Sequence, residues 1–281
     1  MTQRPDSRHS PVEQYENFPV ASWLCPPRLR RPVAAIYWFA RTADDIADEG
    51  SATVEERRAD LLAYRRDLQA CLSGNAVSGR WPQVFAALAS AARDFALPAQ
   101  PLSDLLDAFA QDVEKTAAGA GYADRADLLD YCRRSANPVG RLLLHLYGVH
   151  DAQALAQSDA ICSALQLINF WQDVSVDGPR GRYYLPADDC RRHGFTPQAP
   201  TPQALPALLA ELCAWSRALM LSGAPLVHRV PGRAGWELRL VVQGGLRILH
   251  RIEAIGFRTL ERRPTVGAFD LPPMLWAAAR M

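Results

Sequence analysis

Two acidic clusters, about 125 residues apart in the chain, carry the residue types best suited to chemistry. The first is the run Asp-Asp-Ile-Ala-Asp at 44–48, and the second is Asn169 with Asp173 and Asp177, which repeat a four-residue step. Residues four apart lie on the same face of a helix. Both clusters stand in strongly apolar stretches, where a carboxylate is costly unless it is paired or bound to a metal.

Facing carboxylates of this kind favour one metal chemistry. Mg²⁺ prefers oxygen ligands and is usually held by one or two carboxylates together with water and substrate phosphates. A single acidic residue is more often part of a solvated helix face. Two clusters flanked by Trp, Phe, Tyr and Ile reverse that expectation, so the sequence predicts a magnesium site between helices.

The elements that position these clusters are helices. Residues 31–49 read as a helix with an apolar start and an acidic end, and residues 155–177 as the helix of the second cluster. Residues 124–149 form a long apolar helix interrupted at Asn137-Pro138, because proline inside a helix usually kinks it. Further helical patterns cover 53–72, 81–96, 101–118, 205–228 and 233–262, and a Pro/Gly-rich connector covers roughly 178–204. No alternating strand pattern stands out, so the predicted fold class is all-α.

Composition limits the classes of function. The chain has 281 residues, of which 49% are apolar, which suits one large domain or two small ones. We expect a single domain over 1–281, with 1–14 flexible. The net charge of +1 gives no field for nucleic acid. Six cysteines without metal-binding spacing suit a cytoplasmic protein. No apolar run approaches the roughly 18 residues of a bilayer span, which leaves peripheral membrane contact open.

Four stretches resemble the squalene/phytoene synthase family, the head-to-head trans-isoprenyl diphosphate synthases. They are ENFPVASWL at 16–24, FARTADDIADE at 39–49, YCRRSANPVGR at 131–141 and NFWQD at 169–173. The resemblance covers roughly residues 15–262. The paired acidic motifs are specific for the family. The flanking pattern is most similar to its hopanoid-pathway branch, the hydroxysqualene synthases.

The resemblance implies an isoprenoid-synthase helical bundle with a central apolar cavity, and an isoprenoid diphosphate as substrate. Two or three Mg²⁺ ions would neutralise the diphosphate and make it a leaving group. A dry cavity would then protect the carbocation from water. The implied metal ligands are Asp44, Asp45, Asp48, Asn169, Asp173 and Asp177. Of these, Asp44, Asp48, Asp173 and Asp177 are also expected to be catalytic.

Further residues are expected to bind substrate. Arg41 stands one turn before the first acidic motif and Arg182 follows the second, and both match family arginines suited to diphosphate. Tyr183 follows Arg182 and is a catalytic candidate, with loop packing as the alternative. The aromatic residues expected in the cavity are Phe18, Tyr37 and Tyr131, for which ordinary core packing is the competing role.

Two positions depart from the wider family. Gln172 stands where many phytoene and squalene synthases have arginine directly before the aspartate, so one positive charge is missing near the diphosphate. We expect Gln172 in the substrate site, and its neutrality fits the hydroxysqualene branch. Asn137, at the Pro138 helix break, stands where other branches have small residues. It is a candidate for positioning water, and satisfying the backbone groups freed by Pro138 is the alternative.

The expected reaction is loss of diphosphate from presqualene diphosphate, rearrangement of the cation and capture by water, which gives hydroxysqualene without NADPH. A presqualene diphosphate synthase is then the expected functional partner. One alternative is a dehydrosqualene, phytoene or squalene synthase that condenses two prenyl diphosphates itself. Another is a non-enzymatic assembly factor on the same fold, against which the intact acidic motifs argue.

Overall fold

The computed structural model describes residues 25–281, and within that range it contains α-helices, short 3₁₀ turns and loops but no β-strand. The all-α prediction is therefore confirmed for that part of the chain. The predictions for residues 1–14, for Phe18 and for the motif at 16–24 lie outside the described residues. The helices are α1 (Pro27–Asp48), α2 (Val54–Leu72), α3 (Pro82–Phe95), α4 (Ala99–Ala118), α5 (Arg125–Ser135), α6 (Asn137–Leu146), α7 (Ala152–Gln172), α8 (Val174–Asp177), α9 (Ala187–Arg192), α10 (Leu205–Gly223), α11 (Gly232–Ala254) and α12 (Leu271–Ala279).

The first helix has the predicted division into an apolar start and an acidic end. Pro27 occupies its first turn, where the missing N–H costs no helical hydrogen bond. Leu29, Ile36 and Phe39 are buried, whereas the residues of the acidic run at 44–48 are all partly exposed. The packing of the apolar half therefore fixes the direction in which the acidic half projects.

Two apolar clusters make up the core. One is built from α5, α7, α10 and α11, and the other from α1, α2, α3, α4 and α6. Burying a large apolar side chain stabilises the fold by about 1.5–3 kcal/mol. In the first cluster the buried Trp171 also donates from Nε1 to Ser216 Oγ at 2.7 Å, which ties α7 to α10. The boundary between the clusters is where the main cavity lies.

The interruption between α5 and α6 falls where proline predicts it. Ala136 leaves helical geometry at φ −119°, and Pro138 sits in the first turn of α6. After the break, α6 packs very closely on α7. A Cβ on Gly140 would lie 2.4 Å from Ser158 Oγ and 2.6 Å from Cys162 Sγ, so a larger residue there would have to displace both side chains.

The C-terminal third differs from the prediction. The helix expected over 233–262 ends at Ala254, because Gly256 and Phe257 adopt positive φ angles of 64° and 60°. The chain then turns back toward the core as a loop. The sequence analysis also missed α9 inside the connector and α12 near the end of the chain. The helix expected over 155–177 is broken at Asp173, which separates α7 from the single turn of α8.

One helix of the described range is long and apolar enough to cross a membrane by length and composition. It is Leu205–His228, with 24 residues and a mean hydropathy of 1.2. Leu208, Leu209 and Leu212 are fully buried in the core cluster that contains α7. Part of its apolar surface is therefore packed inside the protein.

A buried carboxylate anchors the C-terminal loop to α11. Asp270 is fully buried and accepts hydrogen bonds from Arg247 Nε at 2.6 Å, Arg251 Nη2 at 2.7 Å and Gly267 N at 2.7 Å. Burial opposes the charged form, but the Gly267 N–H and the two guanidinium groups outweigh it and lower the pKa of Asp270 to about 2. The loop that follows α11 is thereby held at its far end.

We predict that Asp270→Asn lowers the free energy of unfolding by about 1.5–3 kcal/mol at neutral pH, the scale of hydrogen bonds to charged groups. Because the folded pKa lies below the unfolded value, the carboxylate stabilises the fold fully above about pH 4 and progressively less as the pH falls toward 2. Urea unfolding across that range measures the difference. Asp188→Asn, which removes an exposed pair with Arg191, is the control. A difference between Asp270→Asn and wild type that did not shrink in acid would contradict the prediction.

Candidate active site

A cavity of about 570 Å³ lies between the two apolar clusters. Its apolar wall takes Val33 and Leu105 from one cluster, and Leu165 and Ile248 from the other. A smaller apolar cavity of about 80 Å³ adjoins it and shares Leu165. The predicted site residues that line the main cavity are Tyr37, Arg41, Asp44, Asp48, Tyr131, Asn169, Gln172, Asp173, Asp177 and Arg182.

The first acidic motif is held at the end of α1 and is paired with an arginine of the same helix. Arg41 Nη1 lies 3.4 Å from Asp44 Oδ2, and its Nη2 lies 2.9 Å from Asp45 Oδ1. Asp44 and Asp48 line the cavity, whereas Asp45 is absent from the lining. The helix phase therefore turns two carboxylates into the cavity and leaves Asp45 beside them as a partner of Arg41.

The second motif spans the end of α7 and the turn of α8. Asp173 accepts from Arg263, whose Nη2 lies 3.1 Å from Oδ2 and whose Nε contacts Oδ1. Burial, together with repulsion from Asp173, raises the pKa of Asp177 to about 7. Arg263 also lines the cavity and was not predicted. No local pattern marked it, because it directly follows the helix predicted over 233–262, which in fact ends at Ala254, nine residues before Arg263.

Arg182 joins the two acidic motifs. Its guanidinium contacts Asp48 of the first motif, and its Nη1 lies 4.0 Å from Asp177 of the second. The side chain is only 17% exposed. The arginine predicted to meet diphosphate thus lies between the two sets of carboxylates.

A fifth carboxylate in the cavity was missed by the sequence analysis. Asp112 of α4 lines the cavity and accepts a hydrogen bond from the Tyr131 hydroxyl at 2.6 Å. Burial and repulsion from Asp44 and Asp177 raise the pKa of Asp112 to about 7. A signal was present in the sequence, because Asp112 follows Leu105 and Phe109 at helical spacing and so interrupts an apolar face.

Gln172 lines the cavity but is engaged with the C-terminal loop. It is buried, and its Nε2 donates to the Pro264 carbonyl at 2.6 Å. That hydrogen bond holds the loop that contributes Arg263, Thr265 and Val266 to the cavity wall. The positive charge expected to be missing at position 172 is thus supplied by Arg263 from the adjacent loop.

At the α5–α6 break, the residue that faces the cavity is not the predicted one. Asn137 is buried between helices, where its Oδ1 accepts from Ser163 Oγ of α7 at 2.9 Å, and it is absent from the lining. Ser135 and Ala136 line the cavity instead. The Ser135 Oγ is buried and has no hydrogen-bond partner among the described residues. A lone buried hydroxyl in a cavity wall is suited to hold a water molecule.

Tyr184, rather than Tyr183, belongs to the main cavity. Its ring stacks on Phe170 with centroids 3.8 Å apart and planes 6° apart, and both residues line the cavity. Tyr183 instead lines a neighbouring cavity of about 420 Å³ beneath the connector. The stacked pair borders both cavities. Successive residues of this loop therefore face different spaces.

The acidic residues are spread over the cavity wall. Within residues 25–281, no three His, Cys, Asp or Glu side chains converge closely enough to hold a metal ion by themselves. The donors are nevertheless the oxygen type that Mg²⁺ takes, and Mg²⁺ commonly completes its shell with water and ligand phosphates. The wall therefore fits a metal shared with a phosphorylated ligand and does not fit an all-protein metal cage.

Comparison with known proteins places these features in a family. The chain is 34% identical over 259 residues to the hydroxysqualene synthase of Sinorhizobium fredii, covering 90% of this chain and 85% of that protein. It is 30% identical to the presqualene diphosphate synthase of Rhodopseudomonas palustris, covering 89% and 88% of the two chains. The crystal structure of squalene synthase HpnC from Alicyclobacillus acidocaldarius matches with a TM-score of 0.77 and 34% identity, over 87% of this chain and 90% of that one. Because the squalene/phytoene synthase family model also matches residues 12–270, this chain belongs to the squalene/phytoene synthase family.

Proposed function

We propose that this protein is a hydroxysqualene synthase, which converts presqualene diphosphate and water into hydroxysqualene and diphosphate. The observation that carries the proposal is one cavity whose wall combines five carboxylates and three arginines with a large apolar and aromatic remainder. Similarity to hydroxysqualene synthases over most of the chain supports the choice of reaction. Charged and apolar walls match the two parts of a prenyl diphosphate.

The acidic residues are proposed to hold Mg²⁺ together with the diphosphate. The proposed ligands are Asp44, Asp48, Asn169, Asp173 and Asp177, with Asp45 as an outer partner through Arg41. When bound, the metal supplies Lewis-acid neutralisation of the leaving diphosphate. The spread of donors described above supports sharing two or three ions with the substrate.

Three arginines are proposed to bind and orient the diphosphate. Arg41, Arg182 and Arg263 all line the cavity beside the acidic motifs. A guanidinium offers a rigid fork of N–H donors that matches phosphate oxygens. Each of the three contacts a carboxylate in this structure, so substrate binding would exchange one anionic partner for another.

The rest of the wall is proposed to guide the cation. The carbon–oxygen bond to diphosphate breaks with its electron pair on the leaving group, and the resulting cyclopropylcarbinyl cation rearranges to an allylic one. Aromatic faces such as those of Tyr131, Phe170 and Tyr184 stabilise a nearby cation by about 0.5–2 kcal/mol. The apolar lining keeps bulk water away until rearrangement is complete.

We propose that Ser135 holds the water molecule that ends the reaction. Its unpartnered, buried Oγ can accept from or donate to water in the cavity wall. The water oxygen attacks the allylic cation and gives up one proton to the departed diphosphate, which leaves the alcohol. Asn137 is not retained in this role, since its side chain contacts Ser163. Tyr183 is not retained either, since it faces the neighbouring cavity. No step requires NADPH.

The proposed substrate, presqualene diphosphate, implies a second enzyme that supplies it. Presqualene diphosphate must be made from two prenyl diphosphates, so we propose that this enzyme works after a presqualene diphosphate synthase in the cytoplasm. The alternative that this chain performs that condensation itself is supported by its 30% identity to such a synthase. The product assay below separates the two functions.

We predict that presqualene diphosphate with Mg²⁺ yields hydroxysqualene, that NADPH leaves the product unchanged, and that farnesyl diphosphate alone yields little product. Removing the metal with EDTA should abolish turnover, and adding Mg²⁺ back should restore it. Extraction and mass spectrometry of the products measure all of these outcomes. Efficient formation of a C30 or C40 hydrocarbon, or of presqualene diphosphate from farnesyl diphosphate, would favour the condensing synthases.

We predict that Arg41→Ala and Arg182→Ala each reduce kcat/KM by about 10- to 150-fold, which corresponds to about 1.5–3 kcal/mol for a lost charge-assisted hydrogen bond. Arg191→Ala is the matched control, because Arg191 is an exposed arginine that pairs with Asp188 and neither residue lines the cavity. Steady-state kinetics with presqualene diphosphate provide the measurement. Wild-type values in both cavity variants would refute a diphosphate role for these arginines.

We predict that Ser135→Ala shifts the products from the alcohol toward hydrocarbons formed by proton loss, while diphosphate release continues. The expected reason is that the terminal cation loses its positioned water but is still generated. Reaction of the wild type in H₂¹⁸O should place the heavy oxygen in the alcohol. Ser163→Ala, which removes a hydroxyl on the neighbouring helix, is the control. An unchanged alcohol fraction in Ser135→Ala would exclude Ser135 as the holder.

A further inference from the structure

The last helix of the chain presents an apolar surface to solvent. Within α12, Trp276 is 61%, Leu275 53% and Leu271 52% exposed, and Phe269, two residues before the helix begins, is 94% exposed. The helix has no charged side chain, and Ala278 is its one fully buried residue. Clustered exposed apolar side chains of this size mark an interaction surface. We call Phe269, Leu271, Leu275 and Trp276 the C-terminal apolar face.

The C-terminal apolar face is held outward by specific contacts. Arg239 of α11 donates from Nη1 to the Ala278 carbonyl at 3.2 Å and to the Met281 carbonyl at 2.7 Å. Gln243 Nε2 lies 3.0 Å from Met281 Sδ. At the other end, the buried Asp270 anchor fixes the start of the helix. The large side chains are therefore exposed on a fixed helix and not on a loose tail.

Two arginines border this apolar face. The Arg280 guanidinium lies 3.5 Å from the centre of the Trp276 ring, and that of Arg239 lies 5.1 Å from the exposed Trp236 ring. Arg280 directly follows α12 and Arg239 is hydrogen-bonded to its last turn, while the helix itself carries no acidic side chain. Arginine and tryptophan beside an apolar helix face are the residues of membrane-water interfaces.

We propose that the C-terminal apolar face docks the protein peripherally on a bilayer that contains anionic lipid. At 1.5 Å per residue α12 is about 14 Å long, so it is too short to span a bilayer and would lie in the interface plane. A second copy of the chain fits less well, because a symmetric contact through this face would bring Arg239 and Arg280 of both copies together. The charge instead complements a negative lipid surface.

Docking here would place the cavity close to the bilayer. The loop between α11 and α12 contributes Arg263, Thr265 and Val266 to the cavity wall, and Gly267 follows at once. A Cβ built on Gly244 of α11 would lie 3.7 Å from the end of the Met274 side chain of α12, and Gly244 stands four residues before the cavity-lining Ile248. The docking surface stands on its own observations, whereas its use for exchanging lipid substrate and product rests on the proposed function.

Vesicle co-sedimentation tests the docking directly. We expect wild type to bind vesicles of phosphatidylcholine mixed with phosphatidylglycerol at least about tenfold more tightly than phosphatidylcholine alone, and high salt to weaken that binding. Leu275→Ser should weaken it measurably, and L275S/W276S by about tenfold or more. Leu62→Ser on α2 is the matched control, because Leu62 is 54% and Leu275 53% exposed. Circular dichroism and thermal melting establish that each variant is folded.

Several results would overturn the docking proposal. They are wild type that binds neither vesicle, L275S/W276S that binds like wild type, or equal losses in Leu62→Ser and Leu275→Ser. A wild-type dimer in light scattering that L275S/W276S dissociates, without vesicle binding, would assign the face to a second copy. Turnover of detergent-dispersed presqualene diphosphate should stay unchanged in L275S/W276S. Absence of that turnover in wild type would refute the proposed function while leaving the vesicle result interpretable.

Discussion

Repulsion among carboxylates gathered in an apolar cavity is the constraint on which the rest of this structure depends. The fold meets it with three arginines drawn from distant parts of the chain, Arg41 on α1, Arg182 in the connector and Arg263 after α11. The compensation is incomplete, since the pKa values of Asp112 and Asp177 are both raised to about 7, with burial as the main cause. The remaining negative charge is suited to the cations that are proposed to bind here, and the site forms only when all three segments are in place.

The apolar part of the cavity wall also affects the interactions among these charged groups. A dry lining strengthens every ionic interaction at its edge and keeps water from a reactive cation. Polar atoms in that lining are therefore informative, because each is either paired or available to a ligand. The Tyr131 hydroxyl is committed to Asp112, whereas the Ser135 hydroxyl is uncommitted. This contrast supports the role proposed for Ser135, which its position in the sequence alone would not suggest.

Local patterns predicted the acidic motifs and their helices because a four-residue step and an apolar face are local properties. They failed where the direction of a side chain depends on how two helices are rotated relative to each other at a break. Ser135 and Asn137 are two residues apart, yet one faces the cavity and the other faces α7. They failed again for Arg263, whose place depends on the positive φ angles at Gly256 and Phe257 that end α11 early. Periodicity carries no signal for such a reversal, and Phe257 in particular is an unusual residue at positive φ.

The loop after α11 links the cavity to the C-terminal helix through anchored contacts. Gln172 holds Pro264 at one end, Arg263 pairs with Asp173 beside it, and Asp270 is fixed to α11 at the other end. The residues between these anchors include Thr265 and Val266, which line the cavity. The neutral Gln172 suits its contact with Pro264, because an amide that is hydrogen-bonded to a carbonyl can be buried at little cost. A guanidinium at position 172 would add a second buried positive charge beside Arg263. Gln172 and α12 are thus connected through the same anchored loop.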